Sequence, residues 1–148
     1  MTEVVKTKIF HVPAEELLKT ILDVTKYPNF VPGVDGIELI ETLPNKDMRV
    51  RYSLNLVKSF TYVIVMRKET ETKVSWELEG GDLFKKNTGS WTLRKIDSNQ
   101  TEVTYSLDLA FKIFAPGIII SKLTEQTLPQ VLVAFENRTK DLMGKVSA

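Results

Sequence analysis

The sequence predicts an α+β fold, in which an antiparallel sheet of about seven strands curves around a long C-terminal helix. Two patterns indicate it. Apolar and polar residues alternate through most of the 148-residue chain, as they do in strands that bury one face. From Gly117 to Met143 the apolar residues instead recur at a period close to 3.6, which is typical of an amphipathic helix. The turns between alternating segments are short, so neighbouring strands should pair antiparallel.

A short helix is predicted between the first strand, residues 3–10, and the rest of the sheet. Pro13 suits its first turn, where the missing N–H of proline needs no partner. The residue before a proline avoids the α region, so the helix should stop at Tyr27, before Pro28. Residues 27–34 then form a turn-rich connector that is unusually apolar. The buried stripe of the helix is expected to be Leu17, Leu18, Ile21, Leu22 and Val24.

Six further strands are predicted, near residues 37–43, 48–56, 60–67, 73–79, 88–96 and 102–111. Turn-forming residues separate several of them, at 44–47, 80–82 and 97–99. The strand at 60–67 is rich in β-branched residues and less cleanly phased, so the pattern does not assign its buried face. In the other strands, the aromatic residues on buried phases are Tyr52, Trp76, Trp91, Tyr105 and Phe111.

The C-terminal stripe contains Pro129, and a proline inside a helix removes a hydrogen bond and introduces a kink. Thr127 and Gln130 have the spacing of a capping box, which places Pro129 in the tolerated first turn of a new helix. The stripe is therefore predicted to be kinked near Thr127 and to consist of two pieces, residues 117 to about 126 and 128 to about 143. The second piece would grip the sheet, and the first is a candidate gate.

The composition favours one soluble domain and argues against several classes of function. The chain has 20 Lys and Arg residues against 19 Asp and Glu, a net charge of +1, so no DNA partner is expected. One histidine, His11, and no cysteine do not suit a zinc site, and His11 is expected to be structural. No cofactor and no catalytic residue is predicted. Without a signal-peptide core or an apolar run of membrane-spanning length, the expected location is the cytoplasm.

The order of these elements and three local motifs resemble the helix-grip fold of the START-like (SRPBCC) superfamily. The motifs are Tyr27-Pro28-Asn29-Phe30-Val31-Pro32, the stretch from Gly81 to Trp91, and the terminal amphipathic helix. The branch most similar to this chain holds polyketide cyclase/dehydrase proteins, coenzyme-Q-binding proteins and the bacterial ribosome-association toxin. The resemblance implies a non-enzymatic carrier or sensor that holds an apolar molecule between the sheet and the terminal helix.

The resemblance and the strand phases together give a set of expected ligand-binding residues. The resemblance places Tyr27, Phe30 and Val31 on one side of the cavity, and Phe84 with Trp91 on its sheet wall. The inward strand residues and the terminal helix add Tyr52, Trp76, Tyr105, Phe111, Leu128, Leu132 and Phe135. The same aromatic set is also compatible with a filled core. Inward tyrosine hydroxyls could orient a ligand's carbonyl or hydroxyl group, and any cavity should be small, solvated or occupied.

Three functions stay open from the sequence. The favoured one is binding or transport of a small hydrophobic ligand (a lipid, an isoprenoid or quinone, or a polyketide-like molecule), with transient membrane or protein contact near residues 27–34 and 114–118. The second is an interaction module with a filled core, which binds a protein or a ribosome through Arg49, Arg51 and Lys85 on the polar face of the sheet. The third, a cyclase or dehydratase, requires polar groups inside the cavity, from among Asn55, Arg67, Asn87 and Asp108.

Overall fold

The computed structural model describes residues 2–55, 59–112, 117, 121 and 128–147. Strand β1 (Thr2–Phe10) is followed by helix α1 (Ala14–Leu22) and by a 3-10 helix (Val24–Asn29). Six strands come next: β2 (Val34–Thr42), β3 (Met48–Asn55), β4 (Ser59–Thr70), β5 (Lys73–Gly81), β6 (Phe84–Asp97) and β7 (Gln100–Phe111). Helix α2 (Leu128–Ser147) is the last described element.

The strands form one antiparallel sheet in the order β1-β7-β6-β5-β4-β3-β2. Strands β2 to β7 make the predicted meander, in which each strand pairs with the next along the chain. β1 completes the sheet by pairing along its whole length with β7, from Thr2 opposite Leu109 to Phe10 opposite Thr101. The predicted α+β architecture with seven strands is confirmed.

The inner face of the sheet follows the predicted alternation. Val50, Tyr52 and Leu54 of β3 are buried, as are Trp91 and Leu93 of β6. β4, whose faces the pattern left unassigned, buries Phe60, Tyr62, Ile64 and Met66. Its register explains the choice, because Tyr62 lies directly opposite the inward Tyr52.

Helix α1 ends earlier than predicted. It stops at Leu22, since Asp23 leaves the helical region at φ −86° and ψ 65°, and Pro28 lies inside the following 3-10 helix rather than at a helix stop. The last carbonyls of a helix lack partners within it. Here the hydroxyl of Tyr27 donates to the carbonyl of Ile21, so the connector predicted over residues 27–34 begins as a helical turn that caps α1.

The break between β5 and β6 is shorter than predicted, because both strands are longer. β5 continues through Gly81 and β6 starts at Phe84 instead of Thr88, so only Asp82 and Leu83 separate them. Gly81 has φ 147°, and a side chain there would meet the backbone of Tyr62. Asp82 fixes the corner, because its carboxylate accepts the N–H of Thr61 at 3.0 Å.

Helix α2 is described from Leu128 and runs to Ser147, beyond the predicted end near Met143. Gly117 and Ser121 are helical, whereas the predicted kink at Thr127 and most of the gate segment lie outside the described residues. α2 is fixed to α1 by a hydrogen bond between the hydroxyls of Thr20 and Thr139 at 2.8 Å. None of the described helices is long and apolar enough to cross a lipid bilayer.

Candidate ligand-binding site

A cavity of about 120 Å³ lies between the inner face of the sheet and the first two turns of α2. Its walls come from six of the seven strands, all except β1, from the 3-10 helix with the residues after it, and from α2. Among the described lining residues, Asn87 is the only non-aromatic polar one, and none carries a formal charge. The lining residues are Tyr27, Val31, Pro32, Val34, Tyr52, Leu54, Tyr62, Ile64, Met66, Trp76, Phe84, Asn87, Trp91, Tyr105, Leu107, Leu109, Leu128, Val131 and Phe135.

The structure brings nine of the twelve expected ligand-binding residues together around this cavity: Tyr27, Val31, Tyr52, Trp76, Phe84, Trp91, Tyr105, Leu128 and Phe135. Three others lie elsewhere. Phe30 is half-buried and contacts Phe135 and Tyr27 edge to face. Phe111 packs on Phe84 at the end of β7, and Leu132 is buried in the core without reaching the cavity wall.

The aromatic rings form a continuous set of contacts beneath α2. Phe135 lies with its ring centroid 4.8 Å from that of Trp91 and 5.3 Å from that of Tyr27. Trp91 in turn contacts Tyr105 edge to face at 4.8 Å. Tilted and edge-to-face pairs of this kind are favoured over face-to-face sandwiches, and they fix the ring positions in a core. The walls of the cavity are thus built from rings that hold one another in place.

Asn87 reaches the cavity because of a β-bulge. The register of β6 against β7 shifts between Phe84 and Lys86, which makes Lys85 an extra residue in the strand. The bulge lets both Phe84 and Asn87 face inward, three positions apart, although strict alternation would turn one of them outward. Asn87 is only 5% exposed. The predicted strand started at Thr88, so the sequence pattern assigned no phase to Asn87.

A hydrogen bond joins Asn87 to Trp76 where the pairing of two strands stops. β5 and β6 pair from Lys73 opposite Thr92 to Trp76 opposite Gly89 and no further. Just beyond that point the indole N–H of Trp76 donates to the side-chain oxygen of Asn87 at 3.0 Å. Gly89 makes room for the indole, because a side chain at this position would collide with the ring of Trp76.

Four buried phenols supply the remaining polarity of the cavity. Burial raises the pKa of Tyr27, Tyr52, Tyr62 and Tyr105 well above the ordinary value, so all four hydroxyls stay protonated. The hydroxyl of Tyr27 donates a hydrogen bond to the Ile21 carbonyl. Those of Tyr52 and Tyr105 have no hydrogen-bond partner among the described residues. The cavity thus offers neutral hydrogen-bonding groups in an apolar wall.

The outer face of the sheet has a different chemistry. Arg49 pairs with Glu79 at 2.9 Å and also with Glu41, and Arg51 pairs with Glu38. A depression of about 410 Å³ on this face is lined mainly by hydroxyl and charged side chains, so it does not suit an apolar ligand. Three polar residues that a cyclase would need inside also lie outside the cavity: Asn55 is exposed, Arg67 pairs with Asp47, and Asp108 pairs with Lys86.

Two polar lining residues lie beyond the expected ligand-binding set: Tyr62, which sequence reasoning missed, and Asn87, which it considered only as a group that a cyclase would need inside. Tyr62 had a usable signal, since antiparallel pairing across the short loop between β3 and β4 places it opposite Tyr52. Asn87 had none, because a bulge is not visible in a hydropathy pattern. Within the described part of the chain, no cluster of three or more His, Cys, Asp or Glu residues could hold a metal ion.

Residues 10–136 match the family model described as polyketide cyclase / dehydrase and lipid transport. Among curated proteins, the chain is similar to the ribosome association toxin RatA of Escherichia coli K12, with 21% identity over 142 residues. That match covers 96% of this chain and 89% of the relative.

Solved structures share the fold. A START superfamily protein from Mycobacterium smegmatis superposes with a TM-score of 0.84 at 22% identity, covering 95% of this chain and 98% of that one. The Zhui aromatase/cyclase from Streptomyces sp. R1128 superposes with a TM-score of 0.69 at 19% identity, over 94% and 86% of the two chains. At these identities the likeness extends to the helix-grip fold and no further.

Proposed function

Because the chain belongs to the polyketide cyclase / dehydrase and lipid transport family, we propose that it binds a small, neutral, largely apolar molecule between the sheet and helix α2, without transforming it. The observation that carries this proposal is the cavity itself. Its wall is aromatic and aliphatic, it contains no formal charge among the described residues, and it holds a few neutral hydrogen-bonding groups. Apolar walls with a small number of placed polar groups are typical of ligand sites.

The volume of the cavity supports a compact ligand. Residual core volume costs about 24 cal/mol per Å³, so a dry cavity of 120 Å³ would cost about 3 kcal/mol. A domain with a total stability of about 5–15 kcal/mol can carry that cost. Drug-sized pockets begin at about 300 Å³, so a long lipid or a quinone with an isoprenoid tail would require the walls to move apart. A single-ring molecule would not.

Catalysis is the weaker candidate because the described lining holds no group suited to proton transfer at neutral pH. General acid–base catalysis works best with a pKa near the operating pH. The ionisable groups in the wall are four tyrosines, and burial raises the pKa of each. Asn87 could polarise a carbonyl, but an amide neither takes nor gives a proton. A cyclase or dehydratase would need both functions.

An interaction function through the outer face is supported by the name of the RatA relatives. Against it, the arginines expected to make such contacts are already neutralised, Arg49 by Glu79 and Glu41, and Arg51 by Glu38. Charge reversal at Arg49 and Arg51 separates the two proposals. It should abolish binding to a ribosome or to a protein partner and leave ligand uptake intact.

The ligand proposal is tested by extracting the purified native protein with organic solvent and identifying the extract by mass spectrometry. The expected result is a neutral apolar compound at close to one equivalent, or, after delipidation, saturable binding of a small aromatic probe. A protein that yields no compound and binds no such probe is not a carrier.

A further inference from the structure

Asn87 is held in one orientation by Trp76. An indole N–H can only donate a hydrogen bond, so the atom of Asn87 that lies 3.0 Å from it must be the amide oxygen. The amide NH₂ of Asn87 is therefore turned away from Trp76. Both side chains are buried, Trp76 at 8% and Asn87 at 5% exposed, which leaves the amide little freedom to flip.

The hydroxyl of Tyr62 is the next group along. Burial is the larger influence and raises the pKa of this phenol, whereas the neighbouring Asn87 side chain lowers it, as a nearby donor does. Tyr62 is also fixed from the other side, since its ring stacks on that of Tyr52 with centroids 5.0 Å apart and planes 10° from parallel.

Asn87 and Tyr62 form a pair of donors on the cavity wall. The bond from Trp76 occupies the oxygen of Asn87 and leaves its amide NH₂ outside that bond, and the hydroxyl proton of Tyr62 reaches no acceptor among the described residues. Donation by the indole polarises the Asn87 amide and strengthens its N–H groups as donors. Because Tyr62 and Asn87 both line the cavity, both donors lie where a ligand can reach them.

We infer that the ligand is a compact, neutral aromatic molecule that carries an acceptor oxygen, such as an aryl ketone, and that Tyr62 with Asn87 binds that oxygen. The inference rests on the proposed function and names its ligand class. The volume of about 120 Å³ is close to that of the roughly 150 Å³ engineered cavity that accepts benzene, so one ring fits. A charged ligand would be buried without a counter-ion, which is unfavourable.

The test is a calorimetric titration of the delipidated protein with three ligands of nearly the same size. They are acetophenone, α-methylstyrene (in which a CH₂ group replaces the carbonyl oxygen) and benzoate, the charged counterpart. Acetophenone should bind about tenfold more tightly than α-methylstyrene, the value of one net hydrogen bond of about 1.4 kcal/mol. Benzoate should show no saturable binding.

Two variants assign the preference to this pair of donors. Tyr62→Phe removes one donor and keeps the Trp76–Asn87 bond, so the affinity for acetophenone should fall to that for α-methylstyrene. The affinity for α-methylstyrene should not change. Asn87→Leu should have the same effect on the preference. Asn55→Leu, the same change at an exposed asparagine, should leave all three affinities as in the wild type.

The possible outcomes separate this inference from the proposed function. Equal affinities for acetophenone and α-methylstyrene, or a preference that survives in Tyr62→Phe, would overturn the acceptor-oxygen inference and leave a general apolar site. Binding of benzoate as tight as that of acetophenone would overturn the neutral ligand class. If none of the three ligands binds but a long-chain lipid is extracted from the native protein, the inference fails and the proposed function stands. If neither the titration nor the extraction finds a ligand, the inference and the proposed function both fail.

Discussion

The two halves of helix α2 contact the rest of the molecule through different chemistry. The first half, from Leu128 to Phe135, covers the cavity with apolar and aromatic side chains. The second half begins with Glu136, whose carboxylate accepts the backbone N–H of His11 at 2.8 Å and lies 3.5 Å from the ammonium group of Lys8. One turn later the hydroxyl of Thr139 donates to the Phe135 carbonyl at 2.8 Å and also lies 2.8 Å from the hydroxyl of Thr20.

The terminal helix therefore covers a cavity with its first half and seals the core with its second half. Hydrogen bonds depend steeply on distance and angle, so the second half is fixed in place on β1 and α1. Apolar contacts are non-directional, so the first half can adjust its packing around a ligand at lower cost. We therefore expect substitutions in the second half to change stability, and substitutions in the first half to change stability and binding together.

The largest effect is expected from Phe135→Ala. Phe135 is 2% exposed and contacts the rings of Tyr27, Phe30 and Trp91, so its removal should lower the free energy of unfolding by about 3–5 kcal/mol. Urea unfolding measures this change. Val133→Ala, at a 44% exposed position two residues earlier, is the control and should cost less than about 1 kcal/mol. Similar losses in both variants would mean that the first half does not cover a packed wall.

A smaller loss is expected from Tyr27→Phe, which removes the hydroxyl that caps α1 and leaves the Ile21 carbonyl without its donor. The free energy of unfolding should fall by about 1–3 kcal/mol. Tyr105→Phe provides the matched comparison, because the Tyr105 hydroxyl has no partner among the described residues, and it should change stability by less than about 0.5 kcal/mol. Equal losses would show that the two buried hydroxyls are equivalent.

Thr139→Val tests the fixed half of the helix. It removes the hydroxyl that lies 2.8 Å from that of Thr20, which keeps only the Glu16 carbonyl at 3.3 Å, and it should cost about 1–2 kcal/mol in thermal or urea unfolding. Replacing both partners, Thr20→Val and Thr139→Val together, should cost less than the sum of the single changes because neither polar group is then left unpaired. Strict additivity would indicate that the two threonines are not coupled.

The fixed half should also respond to pH through Glu136. Burial alone would raise the pKa of its carboxyl. The backbone N–H of His11 and the ammonium groups of Lys140 and Lys8 outweigh this effect and hold the pKa below its ordinary value. A lowered folded-state pKa means that Glu136 contributes its full stabilisation above the unfolded value, and that this is lost as the pH falls through the folded pKa. Urea unfolding across acidic pH should show a steeper loss in wild type than in Glu136→Gln. Parallel curves would contradict this.

The sequence predicted what depends on local periodicity. The inward positions of Tyr52, Trp76 and Tyr105 follow from strict alternation along single strands, and the helix after Leu128 follows from the apolar period of about 3.6 residues. Features that depend on contacts between different elements of the fold were not predicted. Helix α1 ends at Leu22, where the Tyr27 hydroxyl caps it, and not at the stop expected before Pro28. The inward position of Asn87 depends on a bulge against β7.

The central claim is that the space under the first half of α2 is the binding site, and two substitutions on that helix test it directly. Val131→Phe adds a ring at a position that lines the cavity, whereas Val133→Phe makes the same change at an exposed position. Acetophenone is titrated into the wild type and both variants by calorimetry. We predict that Val131→Phe weakens binding at least about tenfold, the effect of about 1.4 kcal/mol, while Val133→Phe binds as the wild type does. Equal affinity in all three proteins would contradict the account.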